Sequence, residues 1–297
     1  MGDRLNNIRL GLSIDFGATT IKCAIMDQYG NNIVNYDLNT IYGDVYKNLD
    51  NIYNEYKTII EKNNIDDSIV EGYAIGIPGP IKDNKVLYLI NVGIKEPIDI
   101  ISYLDKLFHK KGYLINDADA CGIGEFSLRN NNSNKCLIMM GTGTGIYIKE
   151  FNEELSHKII LDYDEKRYDN QGILNSIECY CSQIGIKQTY KKYCEKYNIT
   201  YKNISIKEIF NRDNKAKIDT IEEFINNHLV DTIIIITNKY KINEIILGGG
   251  ISNGIDASLL EEKVNKKTKN PILITKAIHT NSLYGLNRLL FNSINVN

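Results

Sequence analysis

IDFGATTIK, residues 14–22, is an apolar strand that enters a loop of small, hydroxylated residues and leaves it as a second strand. Residues 9–16 (RLGLSIDF) and 21–27 (IKCAIMD) read as the two strands, joined by Gly-Ala-Thr-Thr. A turn without bulky side chains lets backbone N–H groups approach an anion, because a concave nest of amides favours negative charge. Gly17, Ala18, Thr19, Thr20 and Lys22 are therefore candidate phosphate contacts. Asp15, at the strand end, is placed to hold Mg²⁺ through water, since hard cations take oxygen ligands and Mg²⁺ keeps much of its hydration. The plainer alternative is a hairpin turn capped by Asp15.

Two further strands run into glycine loops, MMGTGTGIYI at 139–148 and IILGGGISNG at 245–254. Three glycines alternating with threonine exceed what one turn needs, so Gly141, Thr142, Gly143 and Thr144 are candidates for the β- and γ-phosphates. Their spacing is neither a Walker loop nor a dinucleotide fingerprint. The triplet Gly248, Gly249 and Gly250 would let a flat ring lie against backbone, which suits adenine and ribose; otherwise it is a flexible connector. Three such loops in order, across nearly the whole chain, point to a fold built around a nucleoside triphosphate. Asn116-Asp117-Ala118-Asp119-Ala120 closes another buried strand. Asp117 is the candidate general base for an attacking hydroxyl, and Asn116 a hydrogen-bonding partner of that substrate. The competing role for Asp117 is to cap the helix that begins near Ala118.

Elsewhere the pattern alternates. Residues 44–63 form an amphipathic helix with Val45, Leu49, Ile52, Tyr56, Ile59 and Ile60 on one face. Strands are expected at 71–77, ending in Pro78-Gly79-Pro80, and at 112–116, 136–140, 244–247 and 272–275. Helices are expected at 118–126, 176–197, 205–210, 220–240 and 282–291. This alternation predicts an α/β fold. Residues 1–120 read as one domain and 121–281 as a second with a helical insert, leaving a cleft between them; helix 282–297 packs back on the first.

The 297 residues are 43% hydrophobic and 24% charged, the balance of a globular protein. A net charge of −2 gives no support for binding nucleic acid or an anionic membrane. No window approaches about 18 apolar residues, the length of a spanning helix. MGDRLNNIRL lacks the apolar core of a signal peptide, so a cytoplasmic location is expected. The six cysteines form no CxxC and read as buried, reduced thiols.

Taken together, these residues resemble the ROK sugar kinases (repressor, open reading frame, kinase), within the actin-like ATPase superfamily. Asp15–Lys22 resembles the family's D-I/L-G-G-T loop, and Ala74–Pro80 its G-x-P-G-P segment. Asn91 falls where the family has a sugar-contacting Asn. Asn116–Ala120, followed by Gly124-Glu125, resembles N-D-A/V-N-A-A-x-x-G-E, whose Asp is the catalytic base. Gly141–Gly145 is similar to the second phosphate loop, Leu247–Gly250 to the adenosine loop and Leu283-Tyr284-Gly285 to the start of the closing helix. No winged-helix domain precedes Ile14, which disfavours the repressor branch.

The chain also departs from the family. Its G-E-I-G-H, counted without gaps, falls at Glu165-Lys166-Arg167-Tyr168, which keeps the sugar-binding Glu as Glu165 and puts Tyr168 in place of His. The alternative register uses Glu154 and His157 and shortens the loop by about ten residues. The family's Cys-x-Cys-Gly-x-x-Gly-Cys zinc site precedes a Glu that contacts the sugar, matched here by Glu178. Cys179 and Cys181 follow that Glu and number two where tetrahedral zinc takes four ligands, so a zinc-less member is expected. The resemblance implies two ribonuclease H-like domains and ATP-dependent phosphorylation of a hexose or hexose derivative. By the same resemblance the sugar would be held by Asn91, Asn116, Asp117, Glu165 and Glu178, and the protein would be a homodimer. The rivals are a non-catalytic sugar sensor on the same fold and a chaperone-type ATPase.

Overall fold

The computed structural model describes residues 8–129, 131, 133–151, 155–278 and 282–295. The chain divides into two units, 1–129 with 281–297, and 130–280. Unit 1 begins with β1 (Leu10–Phe16), β2 (Thr20–Asp27) and β3 (Asn32–Asn39), then α1 (Val45–Lys62) and β4 (Val70–Ile77). A small hairpin, β5 (Ile81–Lys82) and β6 (Lys85–Val86), leads to α2 (Ile100–Phe108), β7 (Lys111–Asn116) and α3 (Asp117–Ser127). Asp44 starts α1 by accepting the Lys47 N–H at 3.0 Å, and the helix buries Leu49, Ile52, Tyr56 and Ile60 at helical spacing. Burying a side chain of that kind stabilises by roughly 1.5–3 kcal/mol.

The sheet order is β3-β2-β1-β4-β7, with β3, β2 and β1 antiparallel and β1, β4 and β7 parallel. Asp15 pairs with Gly76, and Ile77 with Asn116. Asp15, Pro78–Pro80 and Asn116-Asp117 therefore emerge together at the carboxyl ends of three adjacent parallel strands. That edge is where open α/β sheets build their sites.

Unit 2 contains β8 (Lys135–Met140) and β9 (Thr144–Tyr147), followed by α4 (Glu178–Cys181), α5 (Gln183–Lys196), α6 (Ile206–Phe210) and α7 (Lys215–Glu223). A π-helical turn (Phe224–Leu229) joins α7 to α8 (Val230–Tyr240), and β10 (Glu244–Gly248), α9 (Ala257–Asn265) and β11 (Leu273–Lys276) complete the unit. Its sheet runs β11-β10-β8-β9, parallel except for the β8–β9 hairpin. Gly248 pairs with Met139, so the second and third glycine loops share one edge of this sheet.

Two helices expected as continuous are interrupted. The 176–197 segment breaks at Ser182, whose extended backbone (φ −90°, ψ 169°) lets its side chain accept the Gly185 N–H at 3.2 Å and cap α5. The break also frees the Gln183 N–H to donate to Gly141 O at 2.9 Å, tying the second loop down. The 220–240 segment widens into the π turn, where Phe224, Ile225, His228 and Leu229 are all buried.

The last helix, α10 (Ser282–Asn295), belongs to unit 1 and buries Leu283, Leu286, Leu290 and Phe291 with Ala24, Met26 and Ala74 of its sheet. A Cβ on Gly285 would lie 1.7 Å from Ala120 O, so only glycine allows α3 and α10 to approach this closely.

Candidate functional site

In unit 1 the first loop is held by its own backbone. Gly17 N–H donates to Thr20 O at 3.1 Å, and Thr40 Oγ1 donates to Gly17 O at 2.8 Å. Among the described residues nothing engages the N–H groups of Ala18 and Thr19, both exposed, so these two amides are the ones available to an anion. Gly17 serves the turn itself: a Cβ there would lie 2.6 Å from Thr20 O. Asp15 is largely buried, and that burial raises its carboxyl above the ordinary Asp range. The nearby Ser282 hydroxyl and then Lys22 offset part of the rise.

Asn116, not Asp117, caps α3. Its Oδ1 accepts the N–H of Ala118 at 2.8 Å and of Asp119 at 3.4 Å, while Nδ2 donates to Gly79 O at 3.4 Å. Capping holds the β7–α3 turn to the Pro78-Gly79-Pro80 loop and relieves Asp117 of that task. Asp117 opens the helix, and its Oδ1 accepts the Ala118 N–H at 2.9 Å, which fixes the plane of the carboxylate. Burial, and then the nearby Asp117, Asp15 and Glu125 carboxylates, push the Cys121 thiol up. Asn91 sits exposed on a single 3₁₀ turn, Ile90–Val92.

In unit 2 the second loop turns at Gly141, whose N–H donates to Gly143 O at 2.9 Å. The N–H groups of Thr142 and Gly143 are exposed and engaged by nothing among the described residues. Thr144 is buried, with its Oγ1 unpartnered, and its N–H donates to Glu178 Oε2 at 3.2 Å. A Cβ on Gly143 would come within 2.9 Å of the same oxygen. In the third loop, Gly248 and Gly249 are glycine for packing: added Cβ atoms would meet Met139 Sδ at 2.3 Å and Met140 O at 2.2 Å. Gly250 faces open space and is the residue of the triplet that could lie against a ring.

The Glu165 carboxylate is turned to Arg167, at 2.8 Å, and Lys192, at 3.5 Å. Partial burial opposes its ionisation, but these two cations outweigh that and hold it below the usual Glu range. Glu165 lines a cavity of about 230 Å³ with Tyr163, Tyr180, Glu223, Asn227, His228 and Asp231. Near Glu178 the structure places His157 instead, with Nε2 3.9 Å from Glu178 Oε2. The shorter register is therefore the one whose histidine reaches Glu178; its Glu154 lies outside the described residues.

His157 Nδ1 lies 2.7 Å from Asp169 Oδ2, which also accepts from Ser176 Oγ at 2.7 Å. Asp169 and Ser176 escaped sequence reasoning, although a signal was present. Asp169-Asn170-Gln171-Gly172-Ile173-Leu174-Asn175-Ser176 has the spacing of the Cys-x-Cys-Gly-x-x-Gly-Cys motif, with Asp, Gln and Ser at the cysteine positions and Gly172 retained at φ +77°. Zinc does not fit this set. Amide and hydroxyl are poor replacements for thiolate, and hydrogen bonds already engage both oxygens of Asp169. Cys179 Sγ lies 3.5 Å from Ser176 Oγ and Cys181 Sγ 3.5 Å from Thr232 Oγ1, so the two thiols serve different neighbours. Among the described residues no group of three or more His, Cys, Asp and Glu could hold a metal. Mg²⁺ makes a lighter demand, because one carboxylate with waters and phosphate oxygens suffices, and Asp15 meets it.

Residues 11–155 and 170–286 match the model of the ROK family, and the chain belongs to that family. No protein of curated function matches it in sequence. Among solved structures it is similar to a ROK family transcriptional regulator, a homologue of the Escherichia coli MLC protein (TM-score 0.78, 17% identity, 96% of this chain and 78% of that one). It is also similar to a ROK hexokinase from Thermus thermophilus (TM-score 0.77, 14% identity, covering 97% and 100%). A third is a ROK family glucokinase from Streptomyces griseus, solved with glucose and AMPPNP (TM-score 0.67, 18% identity, covering 94% and 98%). These likenesses establish a mixed α/β, actin-like ATPase fold. No helix among the described residues is long and apolar enough to cross a membrane.

Proposed function

We propose that the protein transfers the γ-phosphoryl group of ATP to a hydroxyl of a hexose or hexose derivative. The observation that carries this reading is the convergence of Asp117 and Asp15 at the carboxyl edge of the unit 1 sheet. One acid is oriented by a helix N-terminal amide for proton transfer; the other is largely buried at the strand end, where it could hold Mg²⁺ through water. Family membership and the kinase relatives support it.

In this reading Asp117 accepts the proton of the attacking hydroxyl. The amides of Ala18, Thr19, Thr142 and Gly143 hold phosphate oxygens, and Gly250 lies against the nucleoside. Mg²⁺, held near Asp15, would neutralise charge on the phosphates. Phosphoryl transfer is mainly positioning and electrostatics, so a preset carboxylate and preset amides are the main contribution a protein can make. Glu178 and His157 offer acceptors to sugar hydroxyls, with Asn91 and Asn116 supplying further polar contacts. Glu165, committed to Arg167 and Lys192, is the weaker sugar ligand. A homodimer in the cytoplasm completes the proposal.

The likeness to a regulator favours one rival, a sensor that binds sugar without turnover. Sugar-dependent ADP release across a panel of hexoses and amino sugars, paired with calorimetric binding, separates the two. Release with at least one sugar is expected; binding with no release on any sugar would establish the sensor.

A further inference from the structure

Asp169 has no part in the chemistry set out above, yet its side chain is fully buried and fully employed. Oδ1 accepts the N–H groups of Gln171 and Ile173, each at 2.9 Å. Oδ2 accepts from His157 Nδ1 and Ser176 Oγ, each at 2.7 Å. Burial alone would raise the carboxyl. The bonds from Ser176 and His157, and then the two amides, outweigh burial and hold it below the usual Asp range. The acid is therefore an anion, and an anion beside a neutral imidazole requires the ring hydrogen on Nδ1. Nε2 is left as an acceptor, 3.9 Å from Glu178 Oε2, which is itself fixed by the Thr144 amide at 3.2 Å. Two acceptors at that separation cannot bond each other. They are spaced to receive O–H donors.

We propose that Asp169 is a positioning residue that takes over by hydrogen bonding the cross-link zinc cannot make in this chain. It ties the 169–176 loop to His157 and presents Nε2 and Glu178 as paired acceptors for adjacent hydroxyls of a neutral carbohydrate. The inference rests on the proposed sugar kinase reading for its ligand, but not for its geometry.

The decisive measurement is ¹⁵N NMR of the His157 imidazole in the full chain, at a pH where the ring is neutral, with steady-state kinetics beside it. Wild type is expected to carry its hydrogen on Nδ1. In Asp169→Asn the new amide can donate where Oδ2 accepted, so the hydrogen moves to Nε2. The acceptor KM then rises about 10-fold or more while the nucleotide KM holds. In a His157→Asn background, Asp169→Asn adds little further loss, because the two act through one contact. A wild-type ring protonated on Nε2 overturns the proposal, even where Asp169→Asn fails to fold. So does an unchanged tautomer in Asp169→Asn, or losses in the two variants that simply multiply. If wild type phosphorylates no sugar, the kinase reading falls, while the spectra still decide the role of Asp169.

Discussion

Glu178 Oε2 accepts the Thr144 backbone N–H at 3.2 Å, so one carboxylate both faces His157 and anchors the second glycine loop. This contact links the loop to the acceptor-facing acid, beside the Gln183 N–H bond that also ties the loop down. The bare side of Gly143 keeps that contact unobstructed.

Replacing that acid therefore has a double effect. Glu178→Gln keeps the shape but weakens a charge-assisted bond worth roughly 1.5–3 kcal/mol. Both the sugar and the ATP KM are expected to rise, by about 10-fold or more, in steady-state assays. A rise in the sugar KM alone would show that the loop is held by other means.

Asp15 trades stability for charge. Its carboxyl is raised by burial, so the folded state favours the protonated form. Stability is then lost as pH rises from the ordinary Asp value, 3.8, through the raised one. Asp15→Asn removes that loss. Without Mg²⁺ the variant is expected to melt higher than wild type at pH 7, with the gap closing toward pH 3. Added Mg²⁺ and ATP should stabilise wild type and not the variant. Thermal melts across that range check both signs.

Gly285→Ala tests the crossing of α3 and α10. A methyl 1.7 Å from Ala120 O forces the helices apart, at a cost of about 1–3 kcal/mol in the range seen for overpacked cores. Denaturant unfolding should show the loss. A variant as stable as wild type would mean that the crossing gives way easily.

The strand-end loops were legible because glycine and small hydroxyl residues after an apolar run carry their own physical reason. The alternation that fixed the α/β class was equally local. Roles that depend on a neighbouring strand were hidden. That Gly248 and Gly249 have no room for a Cβ depends on Met139 and Met140 of the paired strand. That Asn116, not Asp117, caps the helix was hidden, since the choice between them depends on φ and ψ at one turn. The register between Glu165 and His157 stayed open because ungapped counting cannot detect a shortened loop. The hydrogen-bonded set of Asp169, Ser176 and His157 carries no cysteine signature.

The central claim is that Asp117 is the base. Sugar-dependent ATP turnover by wild type and Asp117→Asn, on whichever sugar wild type prefers, tests it most directly. General-base removal should lower kcat/KM by about 10²–10⁴-fold, with the melting temperature and nucleotide affinity retained. An Asp117→Asn variant that turns over at the wild-type rate would contradict the account.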